Sequence, residues 1–408
     1  MKVVVVGSGG REHGLAEVLG RTAEVIVTPG NPAIPGSTTE PVEDLVADGS
    51  VDLVVIGPEQ PLVDGLADRL RAAGVRVFGP GADGARLEGS KAYMKDLLAA
   101  AAIPTARYGT FEQVDEAVEF LDTLPGPYVV KTDGLAAGKG VLVTGDRAEA
   151  EADIRSKLAG DAFGDAGRRV VVEEFLTGPE VSVFAVCDGT KTVCLPPAQD
   201  FKRVGDGDSG PNTGGMGAWS PLPFAPDDLA DVVARTFIEP TLAELRSRGI
   251  DYRGVLYAGL MLTPDGPKLL EYNVRFGDPD SQVVLLRLTS DLAELLCAAA
   301  DGDLSAVPEP EFADDFAVLV VAASEGYPAT PRSGDRIVGL EAARQVPSVT
   351  VLGAGVDVDD AGSLISKGGR VINVVGRGSD VSTARGRAYE AISHIDWPGM
   401  HHRTDIAR

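Results

Sequence analysis

The sequence has few cysteines and lacks any long apolar run. Its three cysteines, Cys187, Cys194 and Cys297, are widely spaced in a chain of 408 residues. Such a small, odd number argues against a disulfide framework and is typical of a reducing compartment. No run approaches the ~20 apolar residues that span a bilayer, and the apolar run at residues 3–6 is too short for a signal peptide. We therefore expect a cytoplasmic protein without a membrane partner.

Positive charge is also scarce, because 37 Lys and Arg residues stand against 61 Asp and Glu and give a net charge of −24. This balance argues against general binding to nucleic acid. If the ligand is a polyanion, the overall field repels it, and basic residues must be gathered at the site. Lysines in glycine-rich segments are therefore informative here.

Residues for nucleophilic catalysis are missing as well. No Ser or Cys has surroundings typical of an activated nucleophile. Three of the four histidines lie in the C-terminal region, and we interpret the His401-His402 pair as part of a solvated tail. His13 lies on a predicted first helix, where structural and functional roles are equally open.

The hydrophobic pattern changes along the chain. Over roughly the first quarter, buried-strand runs such as "VVVVG" and "VDLVVIGPE" alternate with helical segments, which predicts βαβ units with a parallel sheet. Ser90 is the predicted N-cap of the helix "KAYMKDLLAA". A small α+β unit follows, then a long loop at residues 199–221, whose length suggests a function. The last part of the chain, rich in Val and Gly, is predicted to be mostly β.

The segment "KTDGLAAGKGV", residues 131–141, combines three glycines and two lysines between two strand-like runs. It is not a Walker A loop, because the glycine spacing is one residue too short and Gly140 stands where a Ser or Thr would bind magnesium. A strand-like run follows it instead of a helix. We interpret the segment as the glycine-rich tip of a hairpin.

The segment "GSGGREHG" follows the first strand and partly matches a dinucleotide-binding turn. Gly7 and Gly9 fit, but Glu12 occupies the third glycine position of G-x-G-x-x-G, and the second strand does not end in an acidic residue. A glycine turn that opens a helix can still hold an anion, with Arg11 nearby. A tight turn without a ligand is the alternative.

The segment "LLEYNVRFGDPDSQ" places Glu271 and Asn273 two residues apart on a predicted strand. They share one face, since side chains alternate along a strand, and their oxygens suit a hard cation such as Mg²⁺. Arg275 could meet an anion near the metal, and Asp278 begins a turn that could hold an amine. An exposed polar strand face is the alternative.

The segment "VVEEFLTGPE" carries Glu173, Glu174 and Glu180 around a turn. An adenine amino group and a ribose diol both need hydrogen-bond acceptors, which these carboxylates could supply. A solvated acidic edge of the protein is the other interpretation.

Taken together, these motifs resemble the ATP-grasp superfamily, and within it the phosphoribosylamine–glycine ligase family. The resemblance runs along the chain through "GSGGREH", "GPEQPLVDG", "LEGSKAYMKDLL", "KTDGLAAGKGV", "VVEEFLTGPE", "QDFKRVGDGDSGPNTGGMGAWSP" and "RFGDPDSQ" to "GGRVINVVG". It implies a multidomain α/β and α+β protein. The expected parts are a Rossmann-like pre-ATP-grasp domain at 1–102, an ATP-grasp domain at 103–306 with a smaller lid subdomain at 122–188, and a β-rich domain at 307–408.

The resemblance also implies roles for individual residues. Lys131 and Arg275 are expected to be catalytic, and Glu271 and Asn273 to hold Mg²⁺ or Mn²⁺. An additional acidic metal ligand, common in this superfamily on the preceding strand, is not found in "YAGLMLT". The expected ATP-binding residues are Lys91, Lys131, Gly138, Lys139, Gly140, Glu173, Glu174, Phe175, Leu176 and Glu180. The expected substrate-binding residues are Gly9, Gly10, Arg11, Glu12, Asp200, Lys202, Gly214, Gly215, Asp278, Pro279 and Arg370.

The implied reaction joins glycine to 5-phosphoribosylamine at the expense of ATP, through a glycyl phosphate, in purine biosynthesis. Phosphoryl transfer depends on positioning and charge neutralisation, which fits a chain with clustered lysines and no nucleophile. Another ATP-grasp ligase or carboxylase, or a non-catalytic nucleotide binder, are the alternatives. We expect a monomer or a weak homo-oligomer.

Overall fold

The computed structural model of the chain describes residues 1–135, 140–160 and 168–408. Two predicted ATP-binding residues, Gly138 and Lys139, lie outside these ranges.

The N-terminal region is a parallel sheet flanked by helices, as its alternating pattern predicts. Strand order is β2-β1-β3-β4, and β1 runs parallel to both of its neighbours. The elements are β1 (Lys2–Gly7), α1 (Gly10–Leu19), β2 (Glu24–Pro29), α2 (Val42–Leu45), β3 (Leu53–Ile56), α3 (Glu59–Val63), α4 (Leu66–Ala72), β4 (Val77–Phe78) and α5 (Ala82–Gly89). The carboxyl ends of β1 and β3 therefore meet at one edge, where ligands of open parallel sheets bind.

A small antiparallel sheet with two helices follows. The Ser90 hydroxyl accepts the Tyr93 N–H and caps the N-terminus of the helix that begins at Lys91, as predicted. The elements are α6 (Lys91–Ala100), β5 (Tyr108–Phe111), α7 (Val114–Leu121), β6 (Tyr128–Thr132), β7 (Val141–Thr144), α8 (Arg147–Leu158) and β8 (Val170–Glu174). Strands β6 and β7 pair antiparallel, so the predicted hairpin around the glycine-rich segment is confirmed.

A second antiparallel sheet faces the first. Its strand order is β10-β9-β15-β16, and the hydrophobic face of β9 and β15 packs against helices. The strands are β9 (Glu180–Asp188), β10 (Thr192–Cys194), β15 (Arg253–Thr263) and β16 (Gly266–Asn273); the helices are α9 (Leu229–Val233), a π-helical turn (Ala234–Ile238), α10 (Glu239–Ser247), α11 (Asp280–Leu285), α12 (Leu292–Asp301) and a 3-10 turn (Leu304–Ala306).

The prediction of a long loop at residues 199–221 is wrong, because this segment forms four short strands and a 3-10 turn. They are β11 (Gln199–Asp200), β12 (Arg203–Gly205), a 3-10 turn (Asp206–Asp208), β13 (Ser209–Asn212) and β14 (Gly217–Ser220). β12 and β13 pair as a hairpin, while β14 pairs with a strand about 100 residues further on. A pairing this distant leaves no mark on the local hydrophobic pattern.

The C-terminal region forms a five-stranded sheet that includes β11 and β14, in the order β11-β14-β17-β21-β18. Its elements are β17 (Phe316–Ala323), α13 (Leu340–Arg344), β18 (Val349–Gly353), β19 (Val356–Val358), β20 (Leu364–Ser366), β21 (Arg370–Gly378) and α14 (Val381–Ile392). Val-rich strands and Ala-rich α14 share a buried core. Among the described residues, no helix combines the length and the apolar character needed to cross a bilayer.

The last residues of the chain are tied to the sheet and do not form a free tail, although His401 is solvent-exposed as predicted. The His401 backbone exchanges two hydrogen bonds with Ala323, and its Nε2 atom lies 2.8 Å from the Val204 carbonyl oxygen. The neighbouring His402 is partly exposed.

Candidate functional site

A cavity of about 730 Å³ lies between the two antiparallel sheets and opens toward the N-terminal and C-terminal regions. It gathers most of the residues singled out in the sequence: Arg11, Lys91, Lys131, Gly140, Glu173, Glu174, Phe175, Leu176, Glu180, Asp200, Lys202, Gly214, Glu271, Asn273, Arg275, Asp278 and Arg370. The cavity brings six lysine and arginine side chains together beside nine carboxylates, so positive charge is available to an anion only at particular points of its wall.

Lys131 lies at the end of β6 and is almost completely buried. Its Nζ atom forms a 2.9 Å ion pair with Glu173, and the same carboxylate pairs at 2.9 Å with Lys95, a residue that the sequence analysis missed. Burial lowers the pKa of Lys95 to about 8. Lys95 follows Lys91 by one helical turn, and this spacing could have indicated two lysines on one face of α6.

The end of β8 and the residues after it line the other part of the cavity. Phe175 is 40 % exposed and offers an apolar ring surface to a flat ligand. Glu174 turns its carboxylate away toward the Arg107 N–H at 2.9 Å and Lys268 at 3.3 Å. Leu176 is buried beside them. This arrangement suits an aromatic base that is held between apolar side chains and backbone atoms.

Glu271 and Asn273 project from β16 into the cavity, while Tyr272 points to the opposite side. The Tyr272 ring is buried, and its hydroxyl donates to the Phe237 carbonyl at 2.9 Å. A β-bulge interrupts the pairing of β16 with β15 at Leu270, and the Leu270 carbonyl accepts a 3.4 Å hydrogen bond from Lys131. The predicted side-chain alternation is confirmed.

The electrostatic surroundings of Glu271 keep it ionised. Burial opposes its charge, but Lys202, Lys91, Lys131 and Arg275 hold the pKa of Glu271 below its usual range. An ionised carboxylate beside an amide oxygen fits a hard divalent cation. Groups of three or more His, Cys, Asp or Glu side chains that could hold a metal do not occur among the residues described. The pair therefore suits a cation that takes its remaining ligands from phosphates and water.

Arg275 is held by two carboxylates that the sequence analysis did not single out. Its guanidinium lies 3.2 Å from Glu59 and 2.8 Å from Glu88. Burial raises the pKa of Glu88, although Arg275 opposes this. The Nη2 atom also approaches the Asn273 Oδ1 atom at 3.5 Å. These contacts fix the guanidinium beside the Glu271–Asn273 pair.

A polar group lines the cavity near β9, β11 and β15. Lys202 pairs with Glu180 at 2.8 Å. Burial raises the pKa of the Asp200 carboxyl, an effect that Lys202 counteracts. The Ser182 and Tyr257 hydroxyls lie 2.8 Å apart and extend this group. Neither hydroxyl was predicted, because each lies in an apolar strand.

Asp278 and Arg370 lie close together at the C-terminal side of the cavity. Their side chains pair at 2.9 Å, and Arg370 also donates to the carbonyl oxygens of Asp278 and Gly214. Gly215 and Pro279 do not line the cavity but support it, since a Cβ atom on Gly215 would lie 2.4 Å from the Pro279 ring. The Arg370 guanidinium and the Asp278 carboxylate thus lie side by side at the wall of the cavity.

Comparisons with known proteins match the whole length of the chain. Residues 1–88, 89–281 and 317–408 match the N domain, the ATP-grasp (A) domain and the C domain of phosphoribosylglycinamide synthetase. The chain belongs to the phosphoribosylglycinamide synthetase family.

Individual relatives agree with this assignment. The phosphoribosylamine–glycine ligases of Caulobacter vibrioides and Streptomyces coelicolor are each 48 % identical to this chain, covering all of it and 97 % or 99 % of their own length. The crystal structure of phosphoribosylamine–glycine ligase from Thermotoga maritima superimposes with a TM-score of 0.88 at 36 % identity, covering 99 % of this chain and 100 % of that one. The three-part ATP-grasp architecture expected from the sequence is confirmed.

The glycine turn at residues 7–14 is not arranged for a dinucleotide. The Glu12 carboxylate accepts the Gly9 N–H at 2.6 Å and pairs with Arg11 at 2.7 Å. It fills the space between the ends of β1 and β3, because a Cβ atom on Gly57 would lie 2.1 Å from its Oε1 atom. Gly9, Gly10 and Glu12 therefore support the cavity from behind, and only Arg11 of this motif lines it.

Proposed function

We propose that this chain catalyses the ATP-dependent ligation of glycine to 5-phosphoribosylamine, giving glycinamide ribonucleotide, ADP and phosphate. The observation that carries the proposal is the convergence of Lys91, Lys131, Arg275 and the Glu271–Asn273 pair on one cavity of an ATP-grasp fold. The family relatives named phosphoribosylamine–glycine ligase support the choice of substrates.

In this proposal the nucleotide binds between the two antiparallel sheets. Lys91 and Lys131 contact the phosphates, and Gly140, at the start of β7, lets the backbone approach them. Phe175 and Leu176 hold the adenine. Glu174 contributes through its backbone, since its carboxylate is engaged elsewhere. Two other predicted ATP ligands, Glu173 and Glu180, pair with lysines. We expect Glu180 to exchange Lys202 for the ribose.

Glu271 and Asn273 would hold Mg²⁺ or Mn²⁺ at the phosphate end. When bound, this ion supplies charge neutralisation at the phosphates. The protein's part is to keep the Glu271 carboxylate ionised inside the cavity and to aim the Asn273 oxygen beside it. Arg275, clamped by Glu59 and Glu88, stabilises charge that develops on the transferred phosphoryl group.

The acceptor substrates bind toward the N-terminal and C-terminal regions. The glycine carboxylate attacks the γ-phosphate and forms glycyl phosphate and ADP; the amine of phosphoribosylamine then attacks the acyl carbon, and phosphate leaves. We propose that the carboxylates of Asp200 and Asp278 bind the amines of the substrates. Their anionic groups would be bound by Arg11, Lys202 and Arg370. The Gly214 backbone completes this part of the site, supported by Gly215 and Pro279.

One assay tests the function. ADP release is measured with ATP, Mg²⁺ and glycine, with and without freshly formed phosphoribosylamine, and with aspartate or bicarbonate in place of glycine. We expect ADP release that requires both glycine and phosphoribosylamine. If another acid supports release and glycine does not, a different ATP-grasp ligase or carboxylase is favoured. If no acid supports release but nucleotide still binds, the chain is a nucleotide binder without this activity.

We further propose that the protein acts in the cytoplasm as a monomer or weak homo-oligomer. The small number of exposed large apolar side chains among the described residues supports this proposal, since only six are exposed and two of them, Val143 and Phe175, line the cavity. Light scattering at several protein concentrations measures the oligomeric state directly.

A further inference from the structure

Three side chains form a continuous line from the protein interior to the cavity. Lys95, on α6, and Lys131, at the end of β6, bind the two oxygens of the same Glu173 carboxylate, each at 2.9 Å. The exposed fractions of the side chains are 0 % for Lys95, 2 % for Glu173 and 9 % for Lys131. We call this group the lysine–glutamate–lysine triad.

Only part of the triad can touch a ligand. Glu173 and Lys131 line the cavity, whereas Lys95 does not. The Lys95 ammonium also donates to the Thr105 hydroxyl at 2.7 Å and lies 5.0 Å from the centre of the Tyr108 ring. It is thus fixed in place behind Glu173, outside the reach of any nucleotide.

Burying an ammonium group costs free energy, and this cost is offset only where the charge is paired with a carboxylate or has a function. A single lysine would be enough to pair with Glu173, and Lys131 already does so. The pairing of Lys131 with Glu173 has a cost for phosphate binding, since the carboxylate cancels the charge that Lys131 would present to a phosphate. A second lysine on the same carboxylate leaves the triad with a net charge of one positive unit.

Two other carboxylates act on the triad, Glu174 on Lys95 and Glu271 on Lys131. Glu174 lies next in sequence, but its carboxylate is matched by Lys268 at 3.3 Å and by the Arg107 N–H. The charge of Glu174 is therefore balanced by Lys268, and the charge of Glu271 is shared among Lys202, Lys91 and Arg275 as well as Lys131.

We propose that Lys95 is a positioning residue for nucleotide phosphate binding, which acts through Glu173 by supplying the charge that keeps Glu173 from neutralising Lys131. Glu173 in turn fixes the Lys131 ammonium at the wall of the cavity. The net positive charge of the triad is therefore presented at the Lys131 ammonium. This inference rests on the proposed function, because it takes Lys131 to be a phosphate-binding residue.

A double-mutant cycle tests the proposal through binding, without turnover. ADP and adenosine affinities are measured by calorimetry, in the presence of Mg²⁺, for wild type, Lys95→Met, Glu173→Gln, the double variant and Lys131→Met. Lys95→Met is expected to weaken ADP binding about tenfold, whereas adenosine, which has no phosphate, binds as before. Weakened adenosine binding would mean general damage to the site and would overturn the proposal.

The double variant gives the decisive comparison. With both Lys95 and Glu173 neutral, Lys131 alone restores the net charge, and the glutamine oxygen at position 173 can still accept a hydrogen bond from its ammonium. ADP should therefore bind within about twofold of wild type. A residue that only supports the fold would make the double variant as weak as Lys95→Met or weaker. Where Lys95→Met does not fold, the comparison of Glu173→Gln with the double variant replaces it: ADP should bind about tenfold more weakly to the double variant, and equal affinities would overturn the proposal.

Lys131→Met separates this inference from the proposed function. If it abolishes ADP binding while Lys95→Met binds ADP like wild type, the role of Lys95 is wrong and the ATP site stands. If Lys131→Met itself binds ADP like wild type, the assignment of the phosphate site is wrong. In turnover assays, Lys95→Met should raise the KM for ATP and leave the KM for glycine unchanged.

Discussion

The Arg403 guanidinium lies 2.7 Å from the Asp208 carboxylate, 195 residues earlier in the chain. Arg403 is 1 % exposed and also donates to the Arg203 carbonyl and to Asp405. Its guanidinium lies 5.2 Å from the centre of the Phe201 ring. The end of the chain therefore anchors the β12–β13 hairpin, which carries the segment with Lys202 and Gly214 over the cavity.

We expect Arg403→Leu to loosen this hairpin. The change removes several charge-assisted hydrogen bonds from a buried position and should lower the free energy of unfolding by about 2 kcal/mol. Hydrogen exchange of the amides in residues 203–212 should accelerate, and the KM for glycine or phosphoribosylamine should rise more than the KM for ATP. The control is Arg344→Leu, which breaks an exposed pair with Glu341. Equal exchange in both variants would show that the anchor does not control the hairpin.

A second prediction concerns His13, which links the first and last regions of the chain. Its Nδ1 atom accepts the Gly353 N–H at 2.7 Å, and burial lowers its pKa to about 4. Because the folded pKa lies below the unfolded value, the stabilising contribution is complete above about pH 6.5 and is lost as the pH falls toward 4. Between pH 7 and pH 5 the loss should approach about 2 kcal/mol.

Urea denaturation of wild type and His13→Asn at both pH values measures this contribution. Asparagine keeps an acceptor at the position of Nδ1 but does not titrate, so its stability should depend less on pH. His394→Asn, at an exposed position, is the control and should behave like wild type. An unchanged pH dependence in His13→Asn would rule out this role.

The sequence was most informative where function and local pattern coincide. The Glu271–Asn273 spacing predicted a shared strand face, and the structure confirms it because side-chain alternation is a local property. Residues of the cavity that come from apolar strands, such as Ser182 and Tyr257, gave no such signal. Lys95 was missed for a related reason, since a lysine on a helix is normally solvated and only the packing against Glu173 buries it.

Strand pairing over long distances was the other limit. The segment around Lys202 is rich in Gly and Asp, which favour turns, and its sheet partners lie beyond residue 315. The role of Glu12 was equally hidden, because its carboxylate fills a space formed by Gly7 and Gly57 from two different strands. Such contacts depend on the tertiary structure and not on the sequence nearby.

The contact between Glu12 and Gly57 leads to a third prediction. A Cβ atom on Gly57 would lie 2.1 Å from the Glu12 Oε1 atom, so Gly57→Ala must displace the carboxylate that caps α1 and holds Arg11. Overpacking of this kind costs roughly 1–3 kcal/mol. Gly145→Ala, whose added Cβ atom meets nothing within 4 Å, is the matched control. Thermal unfolding of the two variants should differ clearly, and similar midpoints would contradict this account of the turn.

The last prediction addresses the proposed metal ligands through Glu271→Gln. The substitution keeps the size of the side chain and removes the charge that Lys202, Lys91, Lys131 and Arg275 maintain. Binding of Mn²⁺ in the presence of ADP, followed by electron paramagnetic resonance, should weaken by at least about tenfold. ADP release should fall accordingly, without recovery at high Mg²⁺.

Glu309→Gln, at an exposed position outside the cavity, controls for the loss of one negative charge and should bind Mn²⁺ like wild type. Unaltered Mn²⁺ affinity in Glu271→Gln would remove this residue from the set of ligands, even if turnover fell. If Glu271→Gln lowers the affinity for Mn²⁺ and leaves the thermal stability unaltered, the substitution affects metal binding and not folding. Glu271 would then act at the cation and would not be needed to hold β16 in place.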